Sequence, residues 1–189
     1  KDIIERESLL GVSMTGIMES YDVAGDPALQ AEMAKYAIEV NTEVSEAIGI
    51  PKAARVTCVK PAGTTSIILG TSSGVHPNFA HNLIRHVQVS KTSPVAEFFK
   101  KYNPEHCEDS AWNDRDYVLA FPLELPLNSK VRDDFTAKEF LDFIRGVQKH
   151  WVSNGTRNPL SVEGISHNVS NTVRVLDNEW HVVSSYLWE

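Results

Sequence analysis

Polar and apolar residues along the chain follow two periods, and the period changes mark the elements. From Ile3 to Ser20, Ile3, Leu10, Met14, Ile17 and Met18 stand near helical spacing, with Gly11 and Gly16 weakening a helix. Asp26-Pro27 opens a second helix, with Asp as N-cap and Pro at the first helical position. Its apolar stripe is Met33, Ala37, Val40, Val44 and Ala47, and Gly49 and Pro51 end it. Val56 to Val59 is a β-branched run read as a strand, stopped by Pro61. Thr64, Thr65 and Ser66 open a short helix, Ile67 to Leu69, closed by Gly70.

Beyond a Ser-, Gly- and Pro-rich loop from Thr71 to Asn78, Leu83 to Val89 alternates as a strand. Ser93-Pro94 starts a helix with Val95, Phe98, Phe99 and Tyr102 on one face, stopped by Asn103-Pro104. Glu105 to Asp116 is polar and reads as a surface loop, and Tyr117 to Phe121 as a strand halted by Pro122. The stretch from Glu124 to Asp134 is irregular. Thr136 and Glu139 then form a capping box, Phe135 and Phe140 a hydrophobic staple, and Phe140, Ile144, Val147 and Trp151 a stripe ending at Asn154-Gly155. Asn171 to Leu176 is the last predicted strand, and Trp180 to Trp188 a final helix. Alternation of strands and helices argues for an α/β layer or barrel with parallel strand pairs, in a single segment spanning 1–189.

One stretch carries candidate chemistry. A strand, a turn of small residues at Ala62-Gly63 and a helix opening on Thr64-Thr65-Ser66 make an anion cradle. The first helical N–H groups lack partners within the helix, and the macrodipole is positive there. Small side chains admit a phosphate to those donors, and hydroxyls add more. The Walker A spacing is absent, and an ordinary strand-to-helix turn capped by Thr reads equally from local chemistry.

The wider pattern adds to this. Lys60-Pro61-Ala62-Gly63-Thr64-Thr65-Ser66, Ser73-Gly74-Val75-His76-Pro77, Ile84-Arg85-His86-Val87, Ala120-Phe121-Pro122, Gln148-Lys149-His150-Trp151 and Asn168-Val169-Ser170-Asn171-Thr172-Val173 occur in that order. Together they resemble the C-terminal half of the catalytic subunit of ribonucleotide reductases, most nearly the adenosylcobalamin-dependent (class II) type. The resemblance runs from about Ser8 to the end. It implies an α/β fold forming the C-terminal part of a ten-stranded α/β barrel. It also implies that Ala62, Gly63, Thr64, Thr65 and Ser66 hold the phosphates of a ribonucleoside di- or triphosphate. The complete enzyme of that family replaces the ribose 2′-hydroxyl by hydrogen through radical chemistry, here with adenosylcobalamin as implied cofactor and a thiol reductant. The remainder of the barrel, in the same or a separate chain, is the implied partner. An incomplete barrel would leave strand edges and apolar faces exposed.

Composition narrows the field. Hydrophobic residues make up 42% and charged residues 23%, as in a water-soluble globular domain, and the formal net charge of −7 disfavours a nucleic-acid binder. No run approaches the length of a membrane span, and the N-terminus reads as a mid-protein helix with no signal peptide. The chain is therefore expected to be a fragment. Two cysteines, Cys58 and Cys107, form no zinc pattern and suit a reduced, cytoplasmic setting. Cys58 in an apolar strand reads as a small core filler, and the Asn-x-Cys-x-Glu loop that carries the radical cysteine in the family is absent. No catalytic residue and no metal ligand is assigned: His76, His81 and His86 are spaced by five, which suits no helical metal pair. His76 reads either as a neighbour of the substrate or as a turn residue. Two further readings stand beside the reductase fragment: a stand-alone nucleotide- or phosphate-binding α/β module, and a structural piece that completes a partner barrel.

Overall fold

The longest helix shows how the chain starts and stops its elements. In α3, Pro27–Ile48, the Asp26 carboxylate accepts from the N–H of Leu29 at 2.7 Å, Pro27 sits where no N–H is needed, and Gly49 closes the end at φ 72°. This computed structural model describes residues 2–157 and 160–188, and at Thr64 the backbone alone. Two structural units emerge: one formed by residues up to Phe79 together with those from Asn128 onward, the other by Ala80–Leu127.

In the first unit, α1 (Asp2–Glu7) leads to β1 (Val12–Ser13), then a 3-10 turn at Ile17–Ser20 and the short α2 (Tyr21–Ala24). The helical spacing read from Ile3 to Ser20 is thus broken. Val12 and Ser13 pair in parallel with Thr57 and Cys58, and Gly16 at φ 74° turns the chain. β2 (Thr57–Cys58) is shorter than the β-branched run suggested, with Val59 extending it as a parallel bridge to Val169. No strand forms over Asn171 to Leu176 as predicted; Val169 alone bridges, and the chain beyond it turns to cover the loop at His76.

After α4 (Thr64–Leu69), this unit resumes with α6 (Ala137–Val147), a π-helical turn at Gln148–Val152, and α7 (Trp180–Trp188). The capping box is present: Thr136 Oγ1 accepts from the N–H of Glu139, and the Glu139 carboxylate accepts from the N–H of Thr136 at 2.8 Å. The rings of Phe135 and Phe140 stand 5.8 Å apart, forming the staple. Phe140, Val147 and Trp151 are buried with Ile17, Met18, Ala34, Val59, Val75 and Val169, which puts the core between the parallel strands and α6. The π turn sets Trp151 against β2: its indole N–H donates to the Cys58 carbonyl at 2.8 Å, and Thr57 Oγ1 donates to the Trp151 carbonyl at 2.7 Å. α3 buries Gln30, Ala34 and Ser45, whereas its expected stripe is largely open, with Met33 47% and Val44 50% exposed. That stripe lines a groove of about 530 Å³ with Leu9, Leu10, Ile48 and Ile50.

In the second unit, β3 (Asn82–Ser90) pairs antiparallel with β5 (Asp116–Glu124), and β4 (Cys107–Asp109) lies on the other side of β5. Parallel strand pairs were expected, and the segment of β4 was expected to be loop. Here the strands are joined by connections that let neighbours run antiparallel, with α5 (Pro94–Tyr102) between β3 and β4. Pro122 does not halt its strand, because β4 pairs only with Tyr117 to Leu119 and leaves that flank of β5 open at Pro122. α5 buries Ala96 and sets Phe99 5.1 Å from Phe121, while Val95, Phe98 and Tyr102 of the predicted stripe stay exposed.

Candidate functional site

β2 delivers the chain to the predicted cradle, and its surroundings hold it there. The N–H of Lys60 donates to Ser13 Oγ at 2.9 Å, and its ammonium donates to Asn168 Oδ1 at 2.8 Å. Ala62 is half-buried, Gly63 exposed, and Gly63 takes φ 53° and ψ −124°, a conformation that favours glycine. The backbone then enters α4 at Thr64, whose side chain lies outside the described residues. Thr65 is exposed, with its N–H donating to the Ala62 carbonyl at 3.1 Å. Ser66 is buried, and its hydroxyl donates to the Gly63 carbonyl at 2.7 Å. The five predicted residues therefore form one turn, but they play different parts. Ser66 ties the turn together from inside, whereas Thr65 and Gly63 face outward.

A sixth residue shapes this turn. Ser73 Oγ accepts from the N–H of Ala62 at 2.9 Å and of Gly63 at 3.4 Å. It stands eleven residues beyond Ala62, and nothing local in the sequence signals the contact. The loop that carries it is anchored from below. The Glu19 carboxylate accepts from the N–H and hydroxyl of Ser72 at 2.8 and 2.7 Å, and from the Asn78 amide at 2.9 Å. Thr15 Oγ1 donates to the Ser72 carbonyl at 2.8 Å and accepts from the N–H of Gly74 at 3.0 Å. Gly74 is required, because a Cβ there would stand 2.6 Å from the Lys60 carbonyl oxygen.

His76 is held on both sides. Its Nδ1–H donates to the Ser73 carbonyl at 2.9 Å, and its Nε2 accepts from the N–H of Thr172 at 2.9 Å. These partners fix a neutral ring with the proton on Nδ1. Of the two roles open in the sequence, the turn role is the one this geometry fills. Cys58 is buried, and burial pushes its thiol up in spite of the Lys60 ammonium nearby. A protonated, enclosed thiol suits a core filler. Among the described residues no group of three or more His, Cys, Asp or Glu side chains is placed to hold a metal ion.

Ser73 also lines a cavity of about 700 Å³ in the same unit. Phe79, Phe135, Phe140 and Leu176 give it apolar walls, and Arg132 and Arg174 enter it. Neither arginine was singled out in the sequence, since each stands in a segment without a motif. The structure positions Arg132 through a parallel bridge between Asn78 and Val131 and an N–H to the Asn78 carbonyl at 2.8 Å. No described helix is long and apolar enough to cross a membrane.

Comparison with known proteins bears on this arrangement. No family model matches the chain. A probable adenosylcobalamin-dependent ribonucleoside-triphosphate reductase of Dictyostelium discoideum is 26% identical over 155 residues, which is 80% of this chain and 20% of the relative. The adenosylcobalamin-dependent ribonucleoside-triphosphate reductase of Euglena gracilis is 27% identical over 158 residues, 81% of this chain and 21% of the relative. That of Lactobacillus helveticus is 22% identical over 98% of this chain and 29% of its own length. The crystal structure of a B-12 dependent (class II) ribonucleotide reductase superposes with a TM-score of 0.76 over 98% of this chain and 28% of that one, at 19% identity. The chain thus has the α/β fold of part of a class II reductase, as its ordered motifs implied, and spans between a fifth and a third of the length of these relatives.

Proposed function

We propose that this chain, residues 1–189, is the C-terminal portion of a ribonucleotide reductase barrel and positions the substrate for reduction at the 2′ carbon. The observation that carries this reading is the joint one: six ordered motifs, relatives named as reductases, and the shared fold over nearly the whole chain. Within it, the turn from Ala62 to Ser66 receives the phosphates of a ribonucleoside di- or triphosphate. Three features support that role. Gly63 leaves open space on its outer side, the helix presents its N-terminus there, and Lys60 adds positive charge close by. Holding the phosphate tail fixes the ribose against a radical cysteine supplied from outside these residues.

Adenosylcobalamin, named in the relatives, enters as the cofactor of the complete enzyme. No residue of this chain is assigned to holding it, and both ring nitrogens of His76 are engaged with backbone. A thiol reductant and the rest of the barrel complete the proposed partners, with the exposed stripe of α3 supporting an apolar contact with the latter. Two free cysteines support a reducing, cytoplasmic setting.

The test is Gly63→Asp in the full-length enzyme, with Gly63→Ala beside it. Both substitutions strain the backbone at φ 53°, and only Asp adds charge. A carboxylate about 6 Å from a phosphate charge, at an effective dielectric near 20, opposes binding by about 3 kcal/mol. The Asp variant is expected to raise KM for nucleotide at least ~10-fold above the Ala variant, with nucleoside binding nearly unchanged. Equal KM values for the two variants would show that this turn shapes the barrel and leaves phosphate alone.

A further inference from the structure

Two donors of the turn from Ala62 to Ser66 are already spent. Ser73 Oγ accepts from the N–H of Ala62 at 2.9 Å and from that of Gly63 at 3.4 Å, the second bond being long and weak. A hydroxyl oxygen has two lone pairs, and these N–H groups take both. The Ser73 oxygen therefore stands where an oxygen of an incoming anion would accept. An anion that uses these two N–H groups has to compete with Ser73 for them.

The backbone around Ser73 is held on both sides, so only its side chain is left to turn. On one side Ser72 is buried, and the Glu19 carboxylate accepts from its N–H at 2.8 Å and its hydroxyl at 2.7 Å. On the other, the Ser73 carbonyl accepts from the N–H of His76 at 3.1 Å and from its Nδ1–H at 2.9 Å, and the N–H of Gly74 donates to Thr15 Oγ1 at 3.0 Å. A serine hydroxyl has three staggered positions about a single bond. Ser73 lines the cavity of about 700 Å³, which gives a rotated hydroxyl room to enter. Gly63 has nothing within 4 Å of where a Cβ would stand, which leaves an anion room to approach as the hydroxyl turns away.

We propose that Ser73 is an internal lock on this turn: its hydroxyl holds the N–H groups of Ala62 and Gly63 until a phosphate oxygen takes them, and then rotates into the cavity. This rests on the phosphate reading given above. A lock acts with the opposite sign to a binding hydroxyl. Removing it strengthens anion binding, because the anion no longer has to break a bond within the chain. Removing it also weakens the turn when no anion is bound, since two N–H groups lose their acceptor. A serine with a merely structural role would lose stability and affinity together.

The experiment titrates inorganic tripolyphosphate by calorimetry into the full-length enzyme, its Ser73→Ala variant and its Gly63→Asp variant, with the melting temperature of each measured alongside. Ser73→Ala is expected to bind tripolyphosphate about three- to tenfold more tightly, the worth of about one net hydrogen bond, and to melt at a lower temperature. Gly63→Asp is expected to weaken tripolyphosphate. If Gly63→Asp weakens it while Ser73→Ala weakens it too or leaves it unchanged, the lock is refuted and the phosphate reading stands. If Gly63→Asp leaves the affinity unchanged, the phosphate reading falls and the lock falls with it. Should Ser73→Ala fail to fold, Ser73→Cys decides the matter, since a thiol is a weaker acceptor at the same place. Its alkylation by iodoacetamide, read on its peptide by mass spectrometry, is expected to quicken when tripolyphosphate is present, as the side chain turns toward the cavity. Alkylation that is unchanged or slowed overturns the proposal.

Discussion

Replacing Gly155 by alanine is a small change with a large expected consequence. Gly155 is buried at the end of the π turn, and its carbonyl accepts from the N–H of Val56 at 2.8 Å. A Cβ there would overlap Thr57 Oγ1 and stand 2.6 Å from Thr57 Cβ and 2.7 Å from Thr57 Cγ2. The Thr57 side chain has no room to swing, being 1% exposed. Relief requires moving the turn away from β2 or rotating Thr57, and the latter breaks its hydrogen bond to the Trp151 carbonyl. Overpacking costs about 1–3 kcal/mol. A buried carbonyl left without its donor costs about 1–3 kcal/mol more. The sum, about 2–6 kcal/mol, is a large share of the roughly 5–15 kcal/mol that holds a domain folded. Equilibrium urea unfolding followed by circular dichroism is the assay, with Gly146→Ala as control. Gly146 lies within α6, and a Cβ there meets nothing within 4 Å, so alanine should stabilise by about 0.5–1 kcal/mol. The same chemical change is thus expected to act with opposite sign at two sites nine residues apart. Adding Thr57→Ala to Gly155→Ala should recover part of the loss, because two of the three close contacts go. A Gly155→Ala midpoint equal to that of the unaltered protein would refute the reasoning. If the turn at Ala62 holds phosphate as proposed, the folded fraction of this variant should also bind nucleotide more weakly, since β2 leads directly into it.

Two further predictions rest on single contacts. Cys58→Ala should keep most activity in the full-length enzyme and lower stability by about 1 kcal/mol, and 5,5′-dithiobis(2-nitrobenzoate) should label Cys58 only on unfolding, because the thiol is buried and its ionisation suppressed; prompt labelling of the native protein would contradict this. Glu179 is held below the usual carboxylate range, first by the N–H of Leu176 and then by that of Ala137. Its folded pKa is depressed, so its contribution to stability is present above the unfolded value and is lost as pH falls through the folded one. Urea midpoints should drop between about pH 5 and pH 3, and Glu179→Gln should flatten that limb; an identical acid profile in the variant would remove Glu179 from the account.

Local chemistry determined much of this chain. The Asp26-Pro27 cap, the Thr136–Glu139 box, the Gly70 stop and the small-residue turn at Ala62-Gly63 are each legible from a few adjacent residues, because caps and turns are satisfied within one helical turn of chain. The ordered motifs also carried the fold, since they record a whole architecture. What depended on distant partners could not be read. The helical spacing of Ile3 to Ser20 gave way to β1 because Val12 and Ser13 find Thr57 and Cys58, more than forty residues on. The strand expected over Asn171 to Leu176 gave way to a segment that hands the N–H of Thr172 to His76. The apolar stripe of α3 was recognised as apolar, but which way it faces is settled by packing, and the core takes Ala34 on another face of the helix. In the candidate site, the sequence located the turn, whereas tertiary structure alone brought Ser73 to its N–H groups and set Arg132 on Phe79. Hydrogen-bond reach is a few ångströms in space and is blind to separation along the chain, and for that reason the lining of a site is decided by the fold.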